Sequence, residues 1–429
     1  TPTHPIPTMA ILDPTGLTQS YFNTPLFLAD ALTHMEDALR TVGYINRQIE
    51  QSRAEWRRGT AINIKKPATF TVQSDVYANM AAIEQAQPED VQMTIDQYRT
   101  SGMRMTDIEE AIVGENAWQM HARRIGYAIA SEIEAHVLTL AIKVPHTIQQ
   151  PLSTVSEDVL IAANRIFVEL GVPEDGPQLR RYAADPQSWA KWLKLTAFSQ
   201  NQGAGQTGVQ TQTSGDIPEK YGLTPYQSNY CARVAAPSNA PTGGNETAAI
   251  ASGASIVSGA TKGSKTVVLT YTGLVAPTVF TPGMVVQLAT AADGLLGPSA
   301  GKLYQRQLYC VETSGAVSGG NISVTFTQAL RQAHSGTWRR IVMAASDASH
   351  ILNLAYYRDA FALAMVALPG NRPGTNIYTA QNPNSGLTLR AREVYDGISL
   401  NNALIFDCWF GAKCIDPDKA IRIPINLNA

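Results

Sequence analysis

Two glycine-rich segments are the parts of this sequence that come nearest to a phosphate-binding motif. Gly203-Ala-Gly205-Gln-Thr-Gly208 matches G-x-G-x-x-G, whose glycines let backbone amides approach a pyrophosphate when the motif joins a strand to a helix. Here the motif follows a helical pattern and precedes Val-Gln-Thr-Gln-Thr, so we predict a plain loop. The segment 259–265 ends in Gly-Ser-Lys, but its spacing is not that of a phosphate loop, and we predict a turn.

The histidines and cysteines do not have the spacing of a metal centre. H-E-x-x-H is absent from the sequence, and no Cys and His stand at metal-ligand spacing. G-x-S-x-G occurs once, as Gly297-Pro-Ser299-Ala-Gly301, but it lies between two strand patterns rather than between a strand and a helix, so it nominates no nucleophile. A dispersed Ser-His-Asp triad stays open, because such triads are recognised by geometry rather than by order in the chain. The sequence therefore nominates no catalytic residue, no cofactor-binding residue and no metal ligand. The seven histidines are His4, His34, His121, His136, His146, His334 and His350.

Composition excludes several classes of function. The 429 residues are enough for about three folding units. A formal net charge of -2 favours neither a protein that coats nucleic acid nor a polyacidic one. Only 16% of residues are charged, while 44% are hydrophobic, and this combination suits a surface that other protein covers. The four cysteines predict reduced, buried thiols and folding in a reducing cytosol.

The sequence contains neither a membrane-spanning run nor a secretion signal by pattern. Its longest apolar run, from Ala360 to Leu368, is shorter than the ~20 residues that cross a bilayer. We therefore expect a soluble protein with no membrane partner. Five prolines within the first 25 residues predict an extended arm that lies on another surface.

The amino-terminal third alternates between helical and strand patterns. Apolar residues at steps of three and four predict an amphipathic helix from Pro25 to Trp56. Period-two alternation from Ala61 to Met105 then predicts two strands, joined through a long tip into a finger. Because a two-stranded ribbon is marginally stable in water, this finger needs support from elsewhere. Thr106 and Glu109 form a capping box, which predicts a long helix that Pro145 ends.

The remaining chain predicts mixed structure with an insertion. Two shorter helices are expected, from Ser156 to Leu170 and from Pro186 to Phe198. Four short strand patterns separated by glycines predict a small β-barrel or sandwich: 266–272, 284–290, 307–313 and 322–327. A helical pattern resumes at Ser346, with Ile351, Leu354 and Phe361 on its stripe, so the β-unit is inserted into a larger domain. Strands are expected from Leu387 to Ile425.

This order of elements resembles the major capsid proteins of tailed bacteriophages, which have the Hong Kong 97 type fold. Several stretches are similar to the coat proteins of short-tailed Salmonella-type phages, which carry an inserted β-domain. These stretches are Asp185-Pro186, Ile217-Pro218-Glu219, Ile351-Leu352-Asn353-Leu354-Ala355 and Trp409-Phe410-Gly411-Ala412, followed by Pro417 and Ala420-Ile421.

The resemblance implies an α+β protein of five parts. These are an N-terminal arm and helix (1–60), an extended β-loop (61–105), a peripheral domain with the spine helix (106–145 and 396–429), an axial domain (146–236 and 346–395) and an inserted small β-barrel (237–345). It also implies copies in hexamers and pentamers, with a scaffolding protein, a portal protein, a decoration protein and packaged double-stranded DNA as further partners. The expected location is the virion, and the host cytoplasm during assembly.

Charge along the finger suggests where copies meet. Basic residues precede or begin the finger, and acidic residues follow within it, so we predict contacts between the two groups on adjacent subunits; the basic group is Arg57, Arg58, Lys65 and Lys66, and the acidic group is Asp75, Glu84, Glu89 and Asp90. The alternative interpretation is that these charged residues form a solvent-exposed face and contact no other subunit. The alternative for the whole chain is a soluble β-rich hydrolase or carbohydrate-binding protein with an accessory β-domain, which requires a concave polar site.

Overall fold

The computed structural model describes residues 24–47, 61–66, 89–106, 108–109, 112, 115–148, 156–173, 179–195, 211–217, 219–235, 255–270, 280–289, 307–341, 349–368, 376–382, 386–398 and 400–426. The helices are α1 (Thr24–Ala38), α2 (Arg40–Tyr44), α3 (Glu115–Thr139), α4 (Asp158–Glu169) and α5 (Pro186–Leu193). The strands are β1 (Ala61–Lys66), β2 (Glu89–Thr94), β3 (Gln97–Thr106), β4 (Arg180–Ala184), β5 (Thr224–Gln227), β6 (Ala232–Val234), β7 (Ser255–Ser258), β8 (Thr266–Thr270), β9 (Val285–Leu288), β10 (Leu308–Ser314), β11 (Asn321–Phe326), β12 (Trp338–Ile341), β13 (His350–Tyr357), β14 (Phe361–Val366), β15 (Asn376–Gln381), β16 (Thr388–Asp396), β17 (Asn401–Cys414) and β18 (Ala420–Asn426).

The first helix is shorter than its pattern predicts. Leu39 leaves the helical backbone (φ -81°, ψ 81°) and divides the segment into α1 and α2. The predicted apolar stripe of this helix is confirmed, since Leu28, Leu32 and Met35 are buried. Helix α1 lies so close to α3 that a Cβ on Gly126 would sit 2.4 Å from the Ala31 carbonyl oxygen. Glycine is therefore required where these two helices cross.

The long helix α3 is the spine of the described fold. The predicted capping box forms: the Glu109 carboxylate accepts the Thr106 N–H at 3.0 Å, and the Glu109 N–H donates to Thr106 Oγ1 at 3.3 Å. The backbone hydrogen bond lowers the pKa of Glu109. The spacing of Ile108 and Ile112 continues the apolar stripe of this helix towards its start, but both side chains are mostly exposed, at 74% and 79%.

Among the described residues, Trp118–Lys143 is one segment long and apolar enough to cross a membrane by composition. More than half of its apolar window is buried, as is usual for a core helix.

A peripheral sheet packs on α1 and α3. Its order is β14-β17-β16-β15, and β3 pairs with β17 along ten residues. The prediction that the finger extends to Met105 is therefore wrong in length, because β3 belongs to this sheet. Residues Phe406 and Phe410 of β17 join the core shared with the helices, and His136 of α3 meets the Phe410 ring edge-on at 5.6 Å between centroids.

A second sheet replaces the helix expected after Ser346. Strand β13 lies between β18 and β4, with β5 beyond β4 and β6 also on β13. All eight residues of β13 are buried. A strand covered on both faces reads as a continuous apolar run, which periodicity does not distinguish from a buried helix. Helices α4 and α5 pack beside this sheet through Phe167, Trp189 and Trp192.

A third sheet lies wholly within the segment expected to be inserted. Its order is β12-β9-β10-β11-β8-β7, and the four expected strands are among its members. Its apolar side chains form a core of their own around Tyr309, Phe326 and Trp338. Both ends of this segment adjoin the second sheet, since β6 precedes it and β13 follows it.

The sheets divide the chain differently from the expected boundary at 395–396. Strands β14, β15 and β16 belong to the peripheral sheet, and β18 belongs to the second sheet. The carboxy-terminal segment therefore contributes to both sheets. The strand pattern from Leu387 to Ile425 was sufficient to predict strands but carried no information on their partners.

Candidate assembly surface

The ribbon formed by β1 and β2 is a two-stranded sheet with no third strand in the described part of the chain. The antiparallel register runs from Ala61 opposite Thr94 to Lys66 opposite Glu89. Both outer edges of such a ribbon carry backbone N–H and C=O groups that can pair with another chain. A ribbon of this kind is marginally stable by itself.

The base of the ribbon is fixed to the peripheral sheet. Met93 and Ile95 are buried against Ala362 and Ala364 of β14. The backbone crosses β17 at Gly411, where a Cβ would lie 2.2 Å from the Thr94 carbonyl oxygen. The base of the ribbon is therefore anchored at a defined point on the sheet face away from the helices.

Four of the eight residues predicted to form contacts between subunits lie on this ribbon. Register places Lys65 opposite Asp90 and Lys66 opposite Glu89 within the same chain. Arg57, Arg58, Asp75 and Glu84 lie outside the described residues, so their contacts stay a prediction. The G-x-G-x-x-G segment at 203–208 also lies outside them.

A charged cluster on the sheet face escaped the sequence analysis. The Asp407 side chain is fully buried and lies 2.7 Å from Arg390 Nε and 2.8 Å from Arg392 Nε. The Tyr98 hydroxyl donates to Asp407 Oδ2 at 2.8 Å. Burial, followed by this hydrogen bond, raises the pKa of Tyr98, and the hydrogen bond to Asp407 raises the pKa of Arg390.

The cluster lies on the side of the sheet that faces away from α1 and α3. Alternation along β17 places Phe406 on the helix side and Asp407 on the other side. Register places Arg390 directly opposite Asp407, and Arg104 of β3 opposite Ala403 on the same side. A sequence signal existed: Asp407 interrupts an apolar run, and Arg390 and Arg392 alternate with apolar residues.

A second cluster surrounds a buried carboxylate of α3. Glu134 is 2% exposed and accepts the Thr41 N–H at 2.6 Å and the Val42 N–H at 3.4 Å, at the start of α2. The Thr41 hydroxyl contacts the Tyr226 hydroxyl at 2.9 Å, which contacts the Tyr356 hydroxyl at 3.0 Å. Burial raises the pKa of Glu134 to about 7.

The third sheet is attached to the rest of the chain by polar contacts. Asp418 lies 3.0 Å from His146 Nε2 and forms an ion pair with Arg331, which follows β11. The Cys310 thiol donates to the Ile142 carbonyl at 3.1 Å, and Arg422 Nη1 donates to the same carbonyl at 3.1 Å. These contacts hold β10 against the end of the spine.

The hairpin between β16 and β17 presents apolar side chains to solvent. Ile398 is 97% exposed, and Tyr395 and Leu400 are also exposed. Leu400 has a positive φ of 49°, a conformation in which a bulky side chain is strained. This hairpin end is a second candidate for contact with another protein.

Within the described residues, no group of three or more His, Cys, Asp or Glu is placed to hold a metal ion. All four cysteines are free and buried, as the sequence predicted. Burial raises the pKa of Cys231, Cys310 and Cys408, which keeps these thiols protonated and unreactive.

Comparison with known proteins finds similarity to solved structures from phages. No family model matches the chain, and no curated protein matches it. A structure from Mycobacterium phage Che8 is 11% identical, with a TM-score of 0.47 and 89% of each chain covered. The capsid structure of the cyanophage P-SCSP1u is 10% identical, with a TM-score of 0.43, covering 86% of this chain and 84% of that one. The mature capsid of bacteriophage PhiM1 is 12% identical, with a TM-score of 0.40 and coverages of 86% and 83%.

The solved structures to which this chain is similar include phage capsids. The identities and TM-scores describe a likeness of general shape. The finer likeness to coat proteins of Salmonella-type phages stays a prediction.

Proposed function

We propose that this chain is a major capsid protein, whose copies associate as hexamers and pentamers into an icosahedral shell around the double-stranded DNA of a tailed phage. The observation that carries the proposal is the β1–β2 ribbon. Its base is built into the peripheral sheet, while its own strands find no third strand among the described residues. A second copy would supply the missing contacts, and a closed symmetric assembly would supply them to every copy in the same way.

The order of the elements supports a Hong Kong 97 type arrangement. A helix, a ribbon, a long spine helix, a second sheet, a separate β-unit and a return to both sheets follow one another along the chain. In this arrangement the peripheral sheet and α3 form the peripheral domain, and the β13 sheet forms the axial domain. Strands β7 to β12 then form the inserted β-domain.

The proposed role is structural rather than enzymatic. The cleft beside Asp407 has no enclosed space large enough for a water molecule, whereas typical ligand sites enclose ~300–1,000 Å³. The alternative of a hydrolase or carbohydrate-binding protein gains no support from this cleft. The further partners we propose are a scaffolding protein, a portal protein, a decoration protein and packaged DNA bound without sequence specificity, with the virion as location and the host cytoplasm as the place of assembly.

Expression in a bacterial cytosol, with and without a scaffolding protein, tests the proposal. We expect fast-sedimenting particles that appear as hollow shells by negative-stain microscopy. A matched control variant joins Lys66 to Glu89 through Asn-Gly, which closes a short hairpin and removes the rest of the finger. This variant should remain folded but sediment as free subunits. A wild-type chain that stays monomeric at high concentration contradicts the proposal.

A further inference from the structure

Arg422 of β18 is a buried charge at the junction of three parts of the fold. It is 1% exposed. Ile421 and Ile423 belong to the core beside α4 and α5, so alternation along β18 turns the Arg422 side chain to the other face of the second sheet. There Arg422 Nη1 donates to the Ile142 carbonyl at 3.1 Å, and the Cys310 thiol donates to the same carbonyl at 3.1 Å. The guanidinium therefore lies where the second sheet, the turn after α3 and β10 of the third sheet meet.

One edge of this guanidinium has no hydrogen-bond acceptor. Nε and Nη2 of Arg422 are buried, and neither finds an acceptor among the described residues. The N–H bonds of Nε and Nη2 point in parallel from one edge of the planar group, whereas Nη1, which donates to Ile142, lies on its other side. An arginine uses such an edge to bind an anion through two hydrogen bonds.

In the described part of the chain, no acid balances the charge of Arg422. Asp418 lies four residues away in sequence, but it pairs with Arg331 and contacts His146. Burial raises the pKa of the Cys310 thiol, so this neighbour is neutral. Burial also lowers the pKa of Arg422, yet a guanidinium keeps its proton in proteins. A buried charge without a partner is strongly unfavourable, and a negative ion would relieve that cost.

The surroundings of Cys310 are positive on balance. After burial, the charge of Arg422 has the largest effect on the pKa of Cys310 and lowers it; the charge of Lys143 also lowers this pKa, and that of Glu312 raises it. Glu312 is exposed, so water screens its charge more than that of the buried Arg422. The junction therefore attracts a negative ion.

We propose that the free edge of Arg422 binds a small monovalent anion of the size of chloride, which neutralises the junction between the second sheet, the turn after α3 and the third sheet. A small ion suits the site better than a phosphate ester or a carboxylate of another chain, because this chain itself encloses both nitrogens. The site belongs to the single subunit and does not depend on the proposed shell function.

Arg180 is a buried arginine whose nitrogens all have acceptors within the chain, and it is the matched control. It is 4% exposed. Its Nε donates to the Pro173 carbonyl at 3.2 Å, its Nη1 to Asn164 Oδ1 at 2.7 Å and its Nη2 to the Val172 carbonyl at 2.6 Å. Arg180 therefore has no free edge for an anion, whereas Arg422 has one.

Urea unfolding of the unassembled subunit tests the site when sodium chloride replaces sodium gluconate stepwise at constant ionic strength. Gluconate is too large for an enclosed site, and constant ionic strength keeps the screening of charges unchanged. The unfolding equilibrium constant of the wild type should fall about tenfold when free chloride reaches ten times its Kd. The chloride NMR line should also broaden in the presence of the folded wild type.

Arg422→Met removes the free edge, so its unfolding should not respond to chloride and it should not broaden the chloride line. Arg422→Gln is the second variant if Arg422→Met does not fold, and the wild-type measurements decide the matter if neither folds. Arg180→Met should be less stable than the wild type but should keep the full response to chloride.

A wild-type subunit whose unfolding and chloride line do not respond would overturn the proposal and leave water as the occupant of the site. A response that persists in Arg422→Met, or one that Arg180→Met also loses, would overturn it as well. Each of these outcomes leaves the proposed shell function intact, because the assembly of particles is measured separately.

Discussion

Replacing Glu134 by Gln should remove a pH dependence from the stability of the subunit. The carboxylate lies beneath the start of α2, where it accepts the Thr41 and Val42 N–H groups. Burial is the largest cause of the raised pKa of Glu134. The hydrogen bonds from Thr41 and Val42 and the charge of Arg40 lower this pKa and so partly offset burial. Tyr226 and Tyr356 are the other titratable groups of the cluster. A Gln side chain keeps an oxygen for the same N–H groups and cannot ionise.

The size of this pH dependence follows from the change in pKa. The pKa of Glu134 rises from 4.5 to about 7 on folding. Each unit of pKa change corresponds to ~1.36 kcal/mol, so the free energy of unfolding changes by about 3 kcal/mol. Because the folded-state pKa is the higher one, the folded protein holds the proton more tightly than the unfolded chain does. The contribution is complete below about pH 4.5 and is lost as the pH rises through about 7.

Urea unfolding of the unassembled subunit between pH 4.5 and pH 8 measures this effect. The free energy of unfolding of the wild type, minus that of Glu134→Gln, should fall by about 3 kcal/mol across this interval. Glu132→Gln is the control, since Glu132 lies two residues away with its side chain about half exposed, and its difference from the wild type should stay nearly constant. A constant difference for Glu134→Gln as well would refute the reasoning.

Three further outcomes are expected. Gly126→Ala should lower the free energy of unfolding by ~1–3 kcal/mol, because its Cβ would meet the Ala31 carbonyl, whereas Gly43→Ala, with open space around it, should not; an equal loss in urea unfolding of the two variants would contradict this. Asp407→Ala should cost ~3 kcal/mol in the same assay, because it leaves two arginines without their acid, and an unchanged midpoint would be inconsistent with the cluster. The isolated fragment 241–343 should fold, since β7 to β12 have a core of their own, and a random-coil spectrum by circular dichroism and proton NMR would argue against an inserted domain.

The sequence predicted correctly those elements whose pattern depends only on residues close together in the chain. The capping box at Thr106 and the stripe of α3 predicted the spine, because cap chemistry and period 3.6 are local properties. The strands of the third sheet were also predicted, since glycines separate their short apolar runs, and β8 and β11 alternate between buried and less buried residues. Short signals of this kind require no knowledge of distant partners.

The hydrophobic pattern gave a wrong prediction where residues distant in the chain decide the structure. Strand β13 is buried on both faces, so its apolar run resembled a helix. Strand β3 continues the alternation of the finger, yet it pairs with β17 about 300 residues away. The cluster at Asp407 combines β3, β16 and β17, and the site at Glu134 combines α2, α3 and β5. Spacing along the chain marks single residues such as Asp407 as unusual, but it does not show which distant residues they meet.

The measurement that tests the account most directly is a cryo-electron microscopy reconstruction of the particles formed by the wild-type chain. The account predicts a closed shell in which the β1–β2 ribbon of each copy contacts the peripheral sheet of a neighbouring copy. Particles in which every ribbon contacts its own subunit alone, or a preparation that contains monomers and no closed shells, would contradict it.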